Sequence, residues 1–260
     1  MFRRPALDGL KIHAAYLVVA PSPIRSFEHR HITVPRTARY AVMGSFDAKL
    51  SEVWIVCHGQ GQLAARFLSR FRPLERDDRL FIAPEGLSRY YLSPPTSAHR
   101  GDTPVGAIWM TREDREAEIA DQARYLDLVY DEVFRDIDRA GVRLWVLGFS
   151  QGASTVTRWL ARGKQTADRV VLWAGMIPPE LDADGASALS ARAPVTVVVG
   201  STDQFATPKV VAAQEARLRE LGVPFQTQHF DGPHDLSGPA LVELAMPSAP
   251  PGGGYRRGEF

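Results

Sequence analysis

An apolar run that stops on a serine between two glycines dominates the sequence: Arg143-Leu144-Trp145-Val146-Leu147-Gly148-Phe149-Ser150-Gln151-Gly152-Ala153. Leu144 to Leu147 read as a buried strand, and Ala153, Val156, Trp159 and Leu160 follow at helical spacing. Strand, tight turn and helix around G-x-S-x-G describe a nucleophile elbow, in which only glycine fits two residues either side and the serine hydroxyl is lifted clear of the sheet. The competing reading is a strand-to-helix turn carrying an idle serine.

The rest of the chain must supply a fold in which such an elbow is useful. Its 260 residues suit one large α/β domain, and 45% hydrophobic residues suffice for a core. Positive and negative side chains are interspersed at a net charge of +1, so no nucleic-acid partner is expected and small neutral or apolar substrates fit better. A single cysteine, Cys57, excludes an internal disulfide. No apolar run is long enough to span a bilayer. Arg3 and Arg4 before Ala14–Ala20 faintly imitate a signal peptide, but Asp8, Lys11 and His13 interrupt the approach, and a cytoplasmic protein is expected. Residues 1–28 read as a loosely ordered extension, 29–246 as the domain and 247–260, rich in Pro, Gly and Arg, as a disordered tail.

Within the domain, His29–Val34 and Arg39–Met43 flank Pro35-Arg36-Thr37 and predict an antiparallel hairpin. Val53–Cys57, Leu80–Ala83, Val170–Ala174 and Val195–Val199 are short continuous apolar strands of the kind buried in parallel sheets, and Phe225–Phe230 alternates like a half-exposed one. Helical patterns lie between them: 63–71, a stretch opening at Thr111 and Asp114 and closing at Gly141, and one opening on Thr207-Pro208. Residues 85–110 read as a long irregular loop, of the kind that forms lids and binding loops. The alternation predicts a mainly parallel sheet with helices on both faces, the hairpin at one edge and the functional site at the carboxyl ends of the strands.

An unassisted serine hydroxyl is a poor nucleophile, so Ser150 needs a base and the base an orienting carboxylate, in the chain order Ser, acid, His. Asp203 follows the strand 195–199, and His234 follows the last strand in Asp231-Gly232-Pro233-His234-Asp235. His229 within a strand, His99 in the long loop and His58 in another turn are weaker bases, as Asp231, Asp235, Asp182 and Asp184 are weaker acids. His29 and His31 lack a third ligand, so no metal is expected. Developing oxyanion charge needs backbone donors: Gln151 follows the nucleophile, and Gln60 sits in the turn His58-Gly59-Gln60-Gly61. That turn has neither the spacing nor the lysine of a phosphate cradle, and Cys57 before it reads as core.

Gly148–Ala153, His58–Gly61, Gly200–Asp203 and Gly232–His234 together resemble the phospholipase/carboxylesterase branch of the α/β-hydrolase superfamily, which includes acyl-protein thioesterases. The resemblance spans roughly 29–245. It implies an α/β-hydrolase fold, a triad of Ser150, Asp203 and His234, an oxyanion hole of the Gln60 and Gln151 amides, and no cofactor. Gln60 and Gln62 depart from the thioesterase pattern, as does the loop 85–110. The expectation is therefore a serine carboxylesterase, monomer or homodimer, with thioester hydrolysis and a non-catalytic binding protein as the alternatives. Tyr90, Tyr91, Trp109, Met110, Phe149, Trp173 and Met176 are expected to wall a pocket for short to medium acyl chains.

Overall fold

The computed structural model of the chain describes residues 28–46, 49–93, 101–162 and 164–246. Nearly all of the expected N-terminal extension, the tail from 247 and part of the long loop, including His99, lie outside the described residues. The chain divides into two compact units, one ending at Thr37 and the other starting at Ala38. Residues 28–37 of the first carry no strand.

The second unit is built on a seven-stranded sheet: β1 (Tyr40–Met43), β2 (Glu52–Cys57), β3 (Arg79–Pro84), β6 (Arg143–Phe149), β7 (Arg169–Trp173), β8 (Val195–Gly200) and β9 (Phe225–Phe230), in the order β1-β3-β2-β6-β7-β8-β9. Six strands run parallel, and β1 closes one edge antiparallel to β3, Tyr40 opposite Pro84. The antiparallel edge expected from the sequence is therefore present with a different partner. The segment 29–34, expected to pair with it, forms no strand, and β1 takes its hydrogen bonds from β3.

Every residue of β2, β3 and β8 is buried, which is what continuous apolar runs achieve when helices cover both faces. Alternation within β2 serves the two faces: Val53, Ile55 and Cys57 enter one core cluster, Trp54 and Val56 the other. The first cluster is closed by α2 (Arg115–Val133), α3 (Gln151–Ala161), α4 (Ala183–Leu189) and α5 (Pro208–Glu220). The second is closed by α1 (Ala64–Leu68), the 3-10 turn after it and α6 (Gly238–Ala245). Pro208 occupies the first turn of α5 behind Thr207, where its missing N–H costs nothing. The helix expected to run to Gly141 ends at Val133, and Gly141 closes a separate 3-10 turn. Its start also differs: Asp114 is left-handed, at φ 49°, and the Thr111 hydroxyl accepts from the Glu113 amide in place of a capping box.

The segment 85–110 is more regular than its composition suggests. Ser88–Tyr91 (β4) and Val105–Ile108 (β5) form an antiparallel two-stranded ribbon. The ribbon is anchored by an isolated bridge between Ala107 and Gln62, which ties it to the turn after β2.

Candidate active site

At the end of β6 the chain turns so sharply that Ser150 is held at φ 53°, ψ −117°, a region that non-glycine residues occupy only when the surroundings impose it. Its amide donates to the Trp173 carbonyl at 2.8 Å, fixing the elbow to β7. The flanking glycines answer to close backbone approach: a Cβ on Gly148 would lie 2.3 Å from the Gly152 carbonyl oxygen, and one on Gly152 2.2 Å from that of Cys57.

His234 reaches the elbow from the turn after β9. Its Nε2 lies 3.0 Å from Ser150 Oγ and its Nδ1 2.8 Å from Asp203 Oδ2. Asp203 is 6% exposed, and its second oxygen accepts from the amides of Phe205 and Ala206 at 2.8 and 2.9 Å. A carboxylate pinned at both oxygens cannot swing, so it fixes the imidazole with Nδ1–H toward itself and Nε2 free to accept from the serine. The His234 turn is secured from below by the Trp173 indole N–H, which donates to the Asp235 carbonyl at 3.0 Å, and by Arg70, which reaches the Asp235 carboxylate and the Leu236 carbonyl.

The turn after β2 completes the site. Gln60 and Gly61 line the same cleft as Ser150, Gln151 and His234. Gly61 N–H donates to the Ala107 carbonyl, Ala107 N–H to that of Gln62, and the Gly59 amide to Gln62 Oε1 at 2.8 Å. The Gln151 amide opens α3, where first-turn N–H groups have no partner within the helix. The side chain of Gln151 is engaged elsewhere, accepting from the Trp109 amide and donating to the Met110 carbonyl. It thereby bolts the end of the ribbon to the residue beside the serine.

His58 is fully buried and has a structural task. Nε2 accepts from the Gly86 amide at 2.9 Å, so Nδ1 carries the proton and donates to the Gly59 carbonyl at 2.7 Å. Burial lowers its pKa, against smaller opposing effects of that hydrogen bond and of Glu85. Burial likewise pushes the Cys57 thiol up, in keeping with its reading as a core residue. Glu85 is a hub without a motif of its own. Its buried carboxylate takes hydrogen bonds from Arg39, Arg89 and the Ala64 amide, joining the strand edge, the ribbon and the start of α1. Burial alone would raise its pKa; those donors outweigh burial and hold it below the usual carboxylate value.

A stability consequence follows from His58. Its folded pKa lies below the unfolded value of 6.5, so the unfolded chain binds the extra proton first as pH falls. This contribution to stability is complete at neutral pH and declines below the unfolded pKa. Urea unfolding at pH 7 and pH 5 should show a smaller loss on acidification for His58→Gln than for the wild type. An equal or larger loss in the variant would refute it.

Of the residues expected to wall the pocket, Tyr90 and Met176 line the cleft, whose volume is about 790 Å³. The other five do not. Tyr91, 48% exposed, follows Tyr90 on β4 and so points to the other face. Trp109 is buried against His58, ring centroids 5.0 Å apart, and donates to the His58 carbonyl. Met110 packs its sulfur on Arg158, while Phe149 and Trp173 are core residues on the face under the His234 turn. Leu92, Ser154, Ala174, Phe205, Ala206 and Val210 line the cleft and were not expected to. Among them Phe205 had a usable signal, standing two residues beyond Asp203.

Among the described residues, no side chain lining the cleft other than His234 is ionisable in the neutral range. Among the described residues, no group of three or more His, Cys, Asp or Glu is placed to hold a metal ion, and no helix is long and apolar enough to cross a membrane.

The sequence matches no protein-family model and no curated protein. The structure does have counterparts. A carboxylesterase from Mesorhizobium loti superposes with a TM-score of 0.58 at 17% identity, over 80% of this chain and 92% of the other. The Zea mays acyl-protein thioesterase 2 gives 0.55 at 18% identity, over 80% and 96%. The Bacillus cereus carboxylesterase gives 0.55 at 14%, over 80% and 91%. The fold is that of the α/β hydrolases. Within that α/β-hydrolase fold, Ser150 follows the central strand β6, Gln60 lies on the turn after its neighbour β2, and Asp203 and His234 follow β8 and β9.

Proposed function

We propose that this protein is a cofactor-independent serine hydrolase of carboxylic esters. One observation carries the reading: the hydrogen-bonded chain Ser150–His234–Asp203, held on a strained elbow at the mouth of a cleft. In the proposed cycle His234 Nε2 takes the Ser150 proton as Oγ attacks the ester carbonyl. The amides of Gln60 and Gln151 receive the developing oxyanion. As the tetrahedral intermediate collapses, His234 passes its proton to the leaving oxygen and the acyl group stays on Ser150. Water, activated by the same imidazole, then releases the acid and restores the serine. Among the described residues the lining has no carboxylate or ammonium group, which favours neutral esters. Thioesters would use the same machinery and are the second reading, supported by the similarity to an acyl-protein thioesterase.

The decisive experiment is labelling with an alkyl fluorophosphonate followed by peptide mass spectrometry. Modification of Ser150 in the wild type, and none in His234→Ala, is the expected result. An unlabelled wild type would overturn the reading, because the probe requires only an activated serine.

A preference for short to medium acyl chains rests on two of the expected walls, Tyr90 and Met176, together with Leu92. Each methylene buried contributes up to about 0.8 kcal/mol, so kcat/KM should climb along a series of nitrophenyl esters until a wall is met, then fall. Met176→Ala should move the optimum to longer chains. Trp109→Ala should leave the optimum in place and lower the melting temperature, since it empties a core site worth about 3–5 kcal/mol. A steady rise to palmitoyl in the wild type would remove the wall from the account.

A further inference from the structure

The exposed ring of Phe205 has a position that the hydrolytic reading does not use. The residue is 64% exposed, yet its amide is fastened to Asp203 Oδ1 and its ring stands edge-on to the His234 imidazole, centroids 4.8 Å apart at 71°. The other ring against that imidazole, Phe149, is 4% exposed. Phe205, Ala206 and Val210 line the cleft on the segment that follows β8, whereas Gln60, Gly61 and Tyr90 line it from the segments around β2 and the ribbon. The cleft thus has an apolar flank at the proton carrier and a more polar one, carrying Gln60 and the Tyr90 phenol, at the oxyanion turn.

Chemistry assigns the first flank. When the carbon–oxygen bond of the intermediate breaks, the proton taken from Ser150 moves from His234 Nε2 to the departing oxygen, and a neutral alcohol leaves. The group attached to that oxygen must therefore lie against whatever stands exposed beside the imidazole. We infer that Phe205 forms the leaving-group subsite of the cleft and selects esters of aromatic or other apolar alcohols. The inference rests on the hydrolase reading and adds the side of the ester on which this residue acts. Ring-on-ring contact and apolar burial act only while the alcohol is attached, so Phe205 influences acylation and leaves deacylation alone.

Two butyrate esters sharing one acyl-enzyme test this: benzyl and methyl butyrate, with wild type, Phe205→Ala and Phe205→Tyr. Alanine keeps the backbone N–H that holds Asp203, and the exposed position tolerates the change. Phe205→Ala should lower kcat/KM for the benzyl ester by about ten-fold, with a much smaller loss on the methyl ester. Phe205→Tyr should retain the preference. Decay of the common butyryl-enzyme, followed by mass spectrometry after rapid quenching, should be the same in all three. Equal losses on both esters, or slowed decay in Phe205→Ala, would mean that the ring merely props the imidazole and would overturn the inference. Binding of benzyl alcohol to Ser150→Ala, read by saturation-transfer NMR and weakened in Ser150→Ala/Phe205→Ala, needs no turnover. Binding that depends on Phe205 in a protein that hydrolyses neither ester would sink the hydrolase reading and uphold the subsite. Turnover with binding indifferent to Phe205 would do the reverse.

Discussion

Ser150→Ala and His234→Ala should each lower kcat for a nitrophenyl ester by about 10⁶, and the double variant should be no worse than either alone. Neither change should disturb the fold. Ser150 is half-buried at the cleft, and alanine meets the same backbone constraint at φ 53°. In the proposed mechanism the two act as a unit: without the base the serine keeps its proton, and without the serine the base has nothing to activate. Asp203→Asn should cost about 10⁴ through a different route. Its carbonyl can still accept from Phe205 and Ala206, which leaves the amide nitrogen facing His234 Nδ1. An N–H there demands a lone pair on Nδ1, so the proton moves to Nε2 and the ring can no longer accept from Ser150. The check is kcat for the four variants together with their melting temperatures. Retention of most activity by Ser150→Ala, with the fold intact, would remove the nucleophile from its role.

The sequence displayed the parallel strands because burial on both faces leaves continuous apolar runs, as at Val53–Cys57 and Val195–Val199. It displayed Ser150, Asp203 and His234 for a related reason. Each stands on a turn at a strand's carboxyl end, and a parallel sheet brings such turns to one edge. Pairing was less visible. Tyr40–Met43 has the pattern of a strand, yet nothing local in it names β3, about forty residues on, as its partner. Direction was less visible still. Tyr90 and Tyr91 are indistinguishable by composition, and only strand alternation puts one in the cleft. Adjacency in sequence points Trp109 and Trp173 to the pocket, whereas each places its ring in the core and its indole N–H on a backbone carbonyl, of His58 and of Asp235. Large aromatic residues near a site satisfy both readings, and burial decides between them.

Gly152→Ala is the substitution expected to damage fold and site together. A Cβ at this position would meet the Cys57 carbonyl oxygen at 2.2 Å and that of His58 at 2.8 Å. Both belong to backbone at the end of β2, and the His58 carbonyl is already held by the Trp109 indole. No flexible side chain is available to yield, so α3 must move away from β2 or the turn must be displaced. Overpacking of this kind costs about 3 kcal/mol or more. In a domain of this size that corresponds to a fall in melting temperature of roughly 6–12 °C. The same displacement separates the Gln60 and Gln151 amides, which lie on the two elements being forced apart. The surviving folded protein should therefore show a lower kcat, by about 10²–10³ if one oxyanion donor is lost, while its Ser150–His234 pair stays in place. Measuring kcat on active-site-titrated enzyme below the melting transition separates the two effects. A Gly152→Ala protein with unchanged melting temperature would show that the contact with β2 is looser than 2.2 Å requires, and full kcat per titrated site would show that this contact does not set the oxyanion donors.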